Sequence, residues 1–167
     1  ARLSGGTQPV TGYELAGGAY EGFETAVGPL ARAVPIRATV RPGERFADLA
    51  ARLGEEVAAV QEWQDYFSWE KEDAFFPTVF RVAGDDGDAG DAGGVRFRVE
   101  RTWACTDRFR LRLTVRGAVA ELAYDAARFR ERDARTLLAS WLALLASATA
   151  APGLAVADLE LVGPEDR

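Results

Sequence analysis

Phe46, Leu49, Ala50, Leu53, Val57, Val60, Trp63 and Phe67 are spaced by threes and fours, which places them in one stripe along an α-helix. The spacing predicts a helix from Phe46 to Tyr66, roughly 30 Å long, with Gly54 tolerated inside it at some cost in propensity. A stripe of that length needs another layer to cover it. A second helix is predicted from Arg130 to Ala148, with Ala134, Leu137, Leu138, Trp141, Leu142, Leu144 and Leu145 on a wide apolar face and Pro152-Gly153 as its stop. The remaining apolar pattern has a period of two, that of strands. Residues 9–15 read as a short strand before a Gly-rich loop at 16–22. Ala33 to Arg41 reads as a strand through Val34, Ile36 and Val40, and Pro35 assigns it to a sheet edge or a bulge. Val95, Phe97 and Val99 alternate with Arg96, Arg98 and Glu100. Phe109, Leu111, Leu113 and Val115 alternate with Arg108, Arg110, Arg112 and Arg116. With Val119 to Tyr124 these are expected to form an antiparallel meander, and residues 157–163 a last short strand. The order of elements is α+β, mixed α/β layers: a mixed sheet with two long amphipathic helices.

The 167 residues suit one domain. With 20 basic and 26 acidic side chains the formal charge is −6, which argues against binding nucleic-acid backbones or anionic membranes. No apolar run reaches the length of a membrane span, and the first residues do not carry the charged, apolar and small-residue pattern of a signal peptide. The single Cys105 excludes an internal disulfide and a multi-cysteine zinc site. The chain has no histidine, which removes Ser-His-Asp and Cys-His nucleophile systems and His-ligated metals together. Starting at Ala1 without a methionine, it reads as a piece of a longer protein. Residues 84–94, GDDGDAGDAGG, have neither periodicity nor β-branched side chains and are expected to be a flexible acidic loop. Asp85, Asp86, Asp88 and Asp91 lack calcium-loop spacing, so no metal is expected there.

The segment VGPLARAVPIR, residues 27–37, resembles the Val-Gly-x-Phe-Val-Asn-Thr-Leu-x-x-Arg stretch in the C-terminal half of nonribosomal peptide synthetase condensation domains, with Val27, Gly28 and Arg37 matching in type and spacing. WQDYFSWE, residues 63–70, is similar to that family's His-Gln-Asp-Tyr-Pro-Phe-Glu segment, and FFPTVFRV to the strand that follows it. DRFRLRLTV, AYDAARF and the closing helix are similar to later landmarks in the same order. The resemblance runs from about Thr7 to the last residue. It implies the C-terminal lobe of a fold like chloramphenicol acetyltransferase, contributing one wall and, between about Val82 and Arg108, the latch of an inter-lobe tunnel. In that tunnel a carrier-bound acceptor amine attacks a carrier-bound donor thioester to form an amide.

The implied partners are an N-terminal condensation lobe, peptidyl carrier domains with their phosphopantetheine arms, and a downstream adenylation domain whose linker would begin at residues 163–167. No cofactor is expected to be bound directly, and the expected compartment is the cytoplasm. A lone lobe is also expected to associate, by pairing with its N-terminal half, docking on an adjacent domain or self-associating through the open face. The pattern departs from the family at Arg32, where an asparagine is usual, and at Trp63, where a histidine is usual. The family's His-His-x-x-x-Asp-Gly motif has no counterpart, so the chain alone is expected to be inactive. A non-catalytic platform before an adenylation domain and a related acyltransferase of the same fold are the alternatives.

The resemblance makes Gly28, Arg32, Arg37, Trp63, Gln64 and Asp65 the candidate channel residues. Each also has a structural reading. Arg37 suits an ion pair at a strand end, and Arg32 suits either a hydrogen-bond donor in the channel or a solvated cation. Asp65 at a helix C-terminus opposes the helix dipole and needs a partner. Trp63, Tyr66, Phe67, Trp69, Phe75 and Phe76 suit core or inter-lobe packing, or the lining of an acceptor pocket. The arginine row of residues 108–116 reads as a solvated face, or as a basic surface for an acidic carrier domain.

Overall fold

The computed structural model describes residues 9–15, 31–70, 74–84, 89–98 and 108–162. Its elements are β1 (Val10–Leu15), β2 (Arg32–Arg37), α1 (Phe46–Trp63) extended by a 3-10 turn over Gln64–Tyr66, β3 (Thr78–Ala83), β4 (Ala89–Ala92), β5 (Val95–Arg98), β6 (Leu111–Arg116), β7 (Val119–Tyr124) and α2 (Glu131–Ala150). A second 3-10 turn covers Val156–Asp158. Five strands form a mixed sheet in the order β2-β1-β3-β6-β7, and β4-β5 form a separate pair. The expected α+β arrangement of a mixed sheet with two long helices is therefore what the chain forms. Pro35 lies in β2, an edge strand, where its missing N–H costs no ladder bond on the open side.

Three expectations fail. β5 does not join a meander. It pairs with β4, because Gly93 and Gly94, at φ 59° and 78°, make a two-residue turn that folds the chain back and sets Asp91 opposite Arg96. Residues 89–94 of the expected loop are thus a hairpin arm and its turn, while Asp85, Asp86 and Asp88 lie outside the described residues. The other neighbour of β6 is β3, in parallel, and the intervening chain is long enough for the crossover such pairing needs. Finally, residues 157–162 form no strand: Val156 N–H donates to Glu44 O, Arg45 bridges Ala155, and the chain turns instead of extending.

The helices lie on one face of the sheet. Alternation places Tyr13, Leu15, Val34, Ile36, Phe80, Leu111, Leu113 and Leu122 on that face, in register with one another. Val34, Ile36, Leu15, Leu49 and Leu159 are buried there. No side chain caps the start of α1, yet its first N–H groups have partners: Phe46 donates to Leu154 O and Ala47 to Pro152 O, both at 3.0 Å. The Pro152–Gly153 turn that ends α2 therefore also supplies the cap of α1. Arg52 ties the same corner, donating to Thr39 O at 2.5 Å and to Glu44 Oε1 at 2.9 Å.

Candidate functional site

The opposite face of the sheet carries Gly12, Glu14, Ala33, Val79, Arg81 and Arg112 by the same alternation. Over it, beside edge strand β2, lies a cleft of about 260 Å³ lined by Ala31, Arg32, Ala33, Phe67, Trp69, Ala74, Phe75, Phe76, Val79 and Arg108. Its walls are set by the chain that leaves α1. The Phe67 ring stacks on Phe76 at 5.9 Å and meets Trp69 edge-on at 5.2 Å, and Trp69 lies 4.5 Å from Phe76. Phe76 presses on Gly12. A Cβ there would lie 2.7 Å from Phe76 Cδ2, so only glycine lets the ring settle onto β1. Arg110 lies over the Phe75 ring at 5.9 Å, the outer limit for a cation–π contact.

The candidate residues divide over this geometry. Arg32, at the start of β2, lines the cleft and donates through Nη1 to Gln64 O at 3.2 Å and to Asp65 O at 3.4 Å. Its guanidinium thereby meets the carbonyls that end α1, where a cation is favoured by the helix dipole. Arg32, Gln64 and Asp65 are thus brought together, through the backbone carbonyls of the latter two. The Gln64 side chain turns away and donates to Gln61 O. Trp63 is 64% exposed and packs on the 80%-exposed Tyr66 at 5.7 Å, outside the cleft. Arg37 sits at the far end of β2, where its N–H donates to Glu56 Oε1 at 3.2 Å. Gly28 lies outside the described residues. The six aromatics expected as one cluster separate into an exposed Trp63–Tyr66 pair and the Phe67–Trp69–Phe76 group in the cleft, with Phe75 beside it.

A charged group missed by the sequence reading sits beside this cleft. The Glu14 side chain, 5% exposed, pairs with Arg81 Nη1 at 3.0 Å and faces Arg112 Nη1 at 4.0 Å. Arg112 also lies over the Phe109 ring at 4.6 Å. The arginine row is therefore not simply a solvated face: Arg112, 13% exposed, turns into the protein. By parity Glu14 falls on the face of β1 opposite its apolar residues, where a solvated acid is expected; its burial beside two arginines comes from the pairing of β1 with β3 and of β3 with β6, which no local pattern announces. Among the described residues no group of His, Cys, Asp and Glu could hold a metal. No helix among them is long and apolar enough to cross a membrane.

No protein-family profile and no curated protein matches the sequence. Solved structures do match the fold. The first condensation domain of the calcium-dependent antibiotic synthetase, in complex with a substrate analogue, superposes with a TM-score of 0.78 at 20% identity, over 97% of this chain and 38% of that one. The X-domain from teicoplanin biosynthesis gives 0.79 at 22% identity, over 96% and 41%. The starter condensation domain of rhizomide synthetase gives 0.74 at 17%, over 97% and 41%. The chain thus has the fold of a condensation-domain lobe, as the sequence resemblance implies, and spans about two fifths of the length of these domains.

Proposed function

We propose that the chain is the C-terminal lobe of a nonribosomal peptide synthetase condensation domain and forms one wall of the tunnel in which an acceptor amine meets a donor thioester. The observation that carries this reading is the fold likeness over nearly the whole chain to domains named for condensation. Beside it stand the ordered motif resemblance and an aromatic cleft on the sheet face without helices. With no histidine here, the base or positioning group for the amine comes from the other lobe. This chain contributes shape and exclusion of water. Phe67, Trp69, Phe75 and Phe76 give an apolar wall, and Arg32 and Arg108 set cations at its rim. A phosphopantetheine arm is thin and linear, with two amides and a phosphate. The guanidinium-rimmed aromatic lining suits it, with the arginines taking its carbonyl or phosphate oxygens and the arm supplying the thioester. The partners on this reading are the N-terminal lobe, carrier domains and an adenylation domain beyond residues 163–167.

The bifurcated bond from Arg32 Nη1 to the carbonyls of Gln64 and Asp65, where the family has an asparagine, favours the second reading, a non-catalytic platform. One experiment separates the two. The chain is combined with the N-terminal half of its parent domain, and aminoacyl-carrier and acyl-carrier substrates are added. Dipeptidyl product from the pair, and none above background from either half, supports the tunnel wall. A folded pair that forms no product supports the platform, and product from this chain alone overturns both.

A further inference from the structure

A second, larger cavity lies on the other face of the sheet, beneath α2. It measures about 360 Å³, and no charged side chain lines it. Leu111, Leu113 and Leu122 form its floor, and Leu138, Trp141 and Leu144 its roof. The hydroxyls of Thr78 and Ser140 and the indole N–H of Trp141 are the polar groups of the side chains that line it. α2 is buried at two positions, Ala134 near its start and Ala148 near its end, fourteen residues or about 21 Å apart. Between them every large roof and floor side chain keeps partial contact with solvent, whereas Val34 and Leu159 elsewhere on this face are closed off completely or nearly so. The site is lined along α2 from Leu137 to Leu144, seven residues or about 10 Å, and forms an elongated apolar slot that is partly open to solvent.

From this geometry we infer that the slot beneath α2 is a binding site for an uncharged linear aliphatic chain. Its volume is more than twice the ~150 Å³ that suffices to bind benzene in an apolar cavity, which corresponds to a chain on the order of a dozen heavy atoms. An apolar site of this size is a poor host for ordered water, because two hydroxyls and one indole N–H in a lining that is otherwise Val and Leu leave most of its volume without a polar partner. Without a cation the slot has nothing to offset the cost of burying a carboxylate, so a neutral head group is selected and the hydroxyls of Thr78 and Ser140 can meet it. The site lies on the opposite face of the sheet from the aromatic cleft and does not depend on the condensation reading.

The test uses the 167-residue chain, 1-decanol and decanoate. Leucine-methyl NMR is expected to show saturable 1-decanol binding with transfer from its methylenes to the Leu113 and Leu138 methyls, and decanoate at neutral pH at least tenfold weaker. Leu113→Phe fills the floor and should weaken 1-decanol at least tenfold with the far-ultraviolet circular dichroism unchanged. Leu138→Phe does the same from the roof should the first variant fail to fold. The inference is overturned by the absence of saturation in the parent chain, by transfer confined to residues outside the slot, by decanoate binding as tightly as the alcohol, or by a folded Phe variant that binds undiminished.

Discussion

At position 12 a single methyl group decides whether the cleft keeps its floor. A Cβ there would approach Phe76 Cγ and Cβ to 2.8 and 2.9 Å, atoms next to the backbone that cannot swing aside. Gly12→Ala should therefore shift Phe76 and the Phe67–Trp69 pair that leans on it, costing about 1–3 kcal/mol as an overpacking change. Urea unfolding followed by tryptophan fluorescence checks this; a variant within 0.5 kcal/mol of the parent would mean the ring is not seated on β1. Charge at the α1 corner gives a second test. The Arg41 N–H, donating to Glu44 Oε2 at 3.0 Å, and then the Arg52 guanidinium hold the Glu44 carboxyl below its ordinary value. The folded pKa is lower than the unfolded one, so the carboxylate contributes stability that is present above the ordinary value of 4.5 and is lost as pH falls through the folded value. Glu44→Gln should lower stability at neutral pH and flatten its dependence below pH 4.5. Melting curves in an acid series measure it, and parallel curves for parent and variant would refute the assignment.

At the scale of elements, Arg32 links β2 to the end of α1. Arg32→Ala should loosen that end by about 0.5 kcal/mol, speeding amide exchange over residues 61–66 and leaving the middle of α1 unchanged. Unchanged exchange at the helix end would show the guanidinium to be incidental. Both helices were legible from spacing alone, because an apolar stripe is a local property: α1 begins at Phe46 as expected, and α2 runs from Glu131 to Ala150 against an expected 130–148. β1, β2, β5, β6 and β7 were legible for the same reason, and one proline limited β2 to an edge or a bulge; β4 was hidden in a segment of loop composition, and the alternation of residues 157–162 marked a strand that does not form. Strand pairing was not legible. Whether β6 joins β5 or β3 depends on loop closure and on a Gly-Gly turn within a segment whose composition resembles a loop. The candidate site was legible in part. Aromatics 67–76 and Arg32 do meet in one cleft, but no local pattern could separate Trp63 from them. Likewise, the alternation that marks a solvated arginine face cannot reveal that Arg112 turns toward a buried Glu14 brought in by a distant strand.

For the whole molecule, the chain spans about two fifths of the length of the domains it resembles in fold, and its exposed apolar residues include two sets: Val119, Leu142 and Leu145 lie on β7 and α2, and a second set lies in the segments that the proposed lobe reading turns toward a partner. Trp63, Tyr66 and Trp69 stand exposed at the end of α1, Val82 at the end of β3, and Val95 and Phe97 on the hairpin strand β5. These belong to the segments that the condensation resemblance places against the N-terminal lobe. At about 25 cal/mol per Å², covering 400 Å² of such surface contributes roughly 10 kcal/mol of gross burial, comparable with the net stability of a whole domain. The expected outcome is association. Alone at tens of micromolar, the chain should scatter light as a dimer or larger species and bind an apolar dye. Adding the N-terminal half should give a 1:1 complex and lower the dye signal by the share that this surface contributes. Trp63→Ser with Phe97→Ser should weaken both kinds of association, since exposed aromatics on the contact face carry most of its apolar area. A clean monomer without dye binding that also ignores the N-terminal half would mean that these side chains cover no lobe, and that the chain stands as a self-sufficient domain.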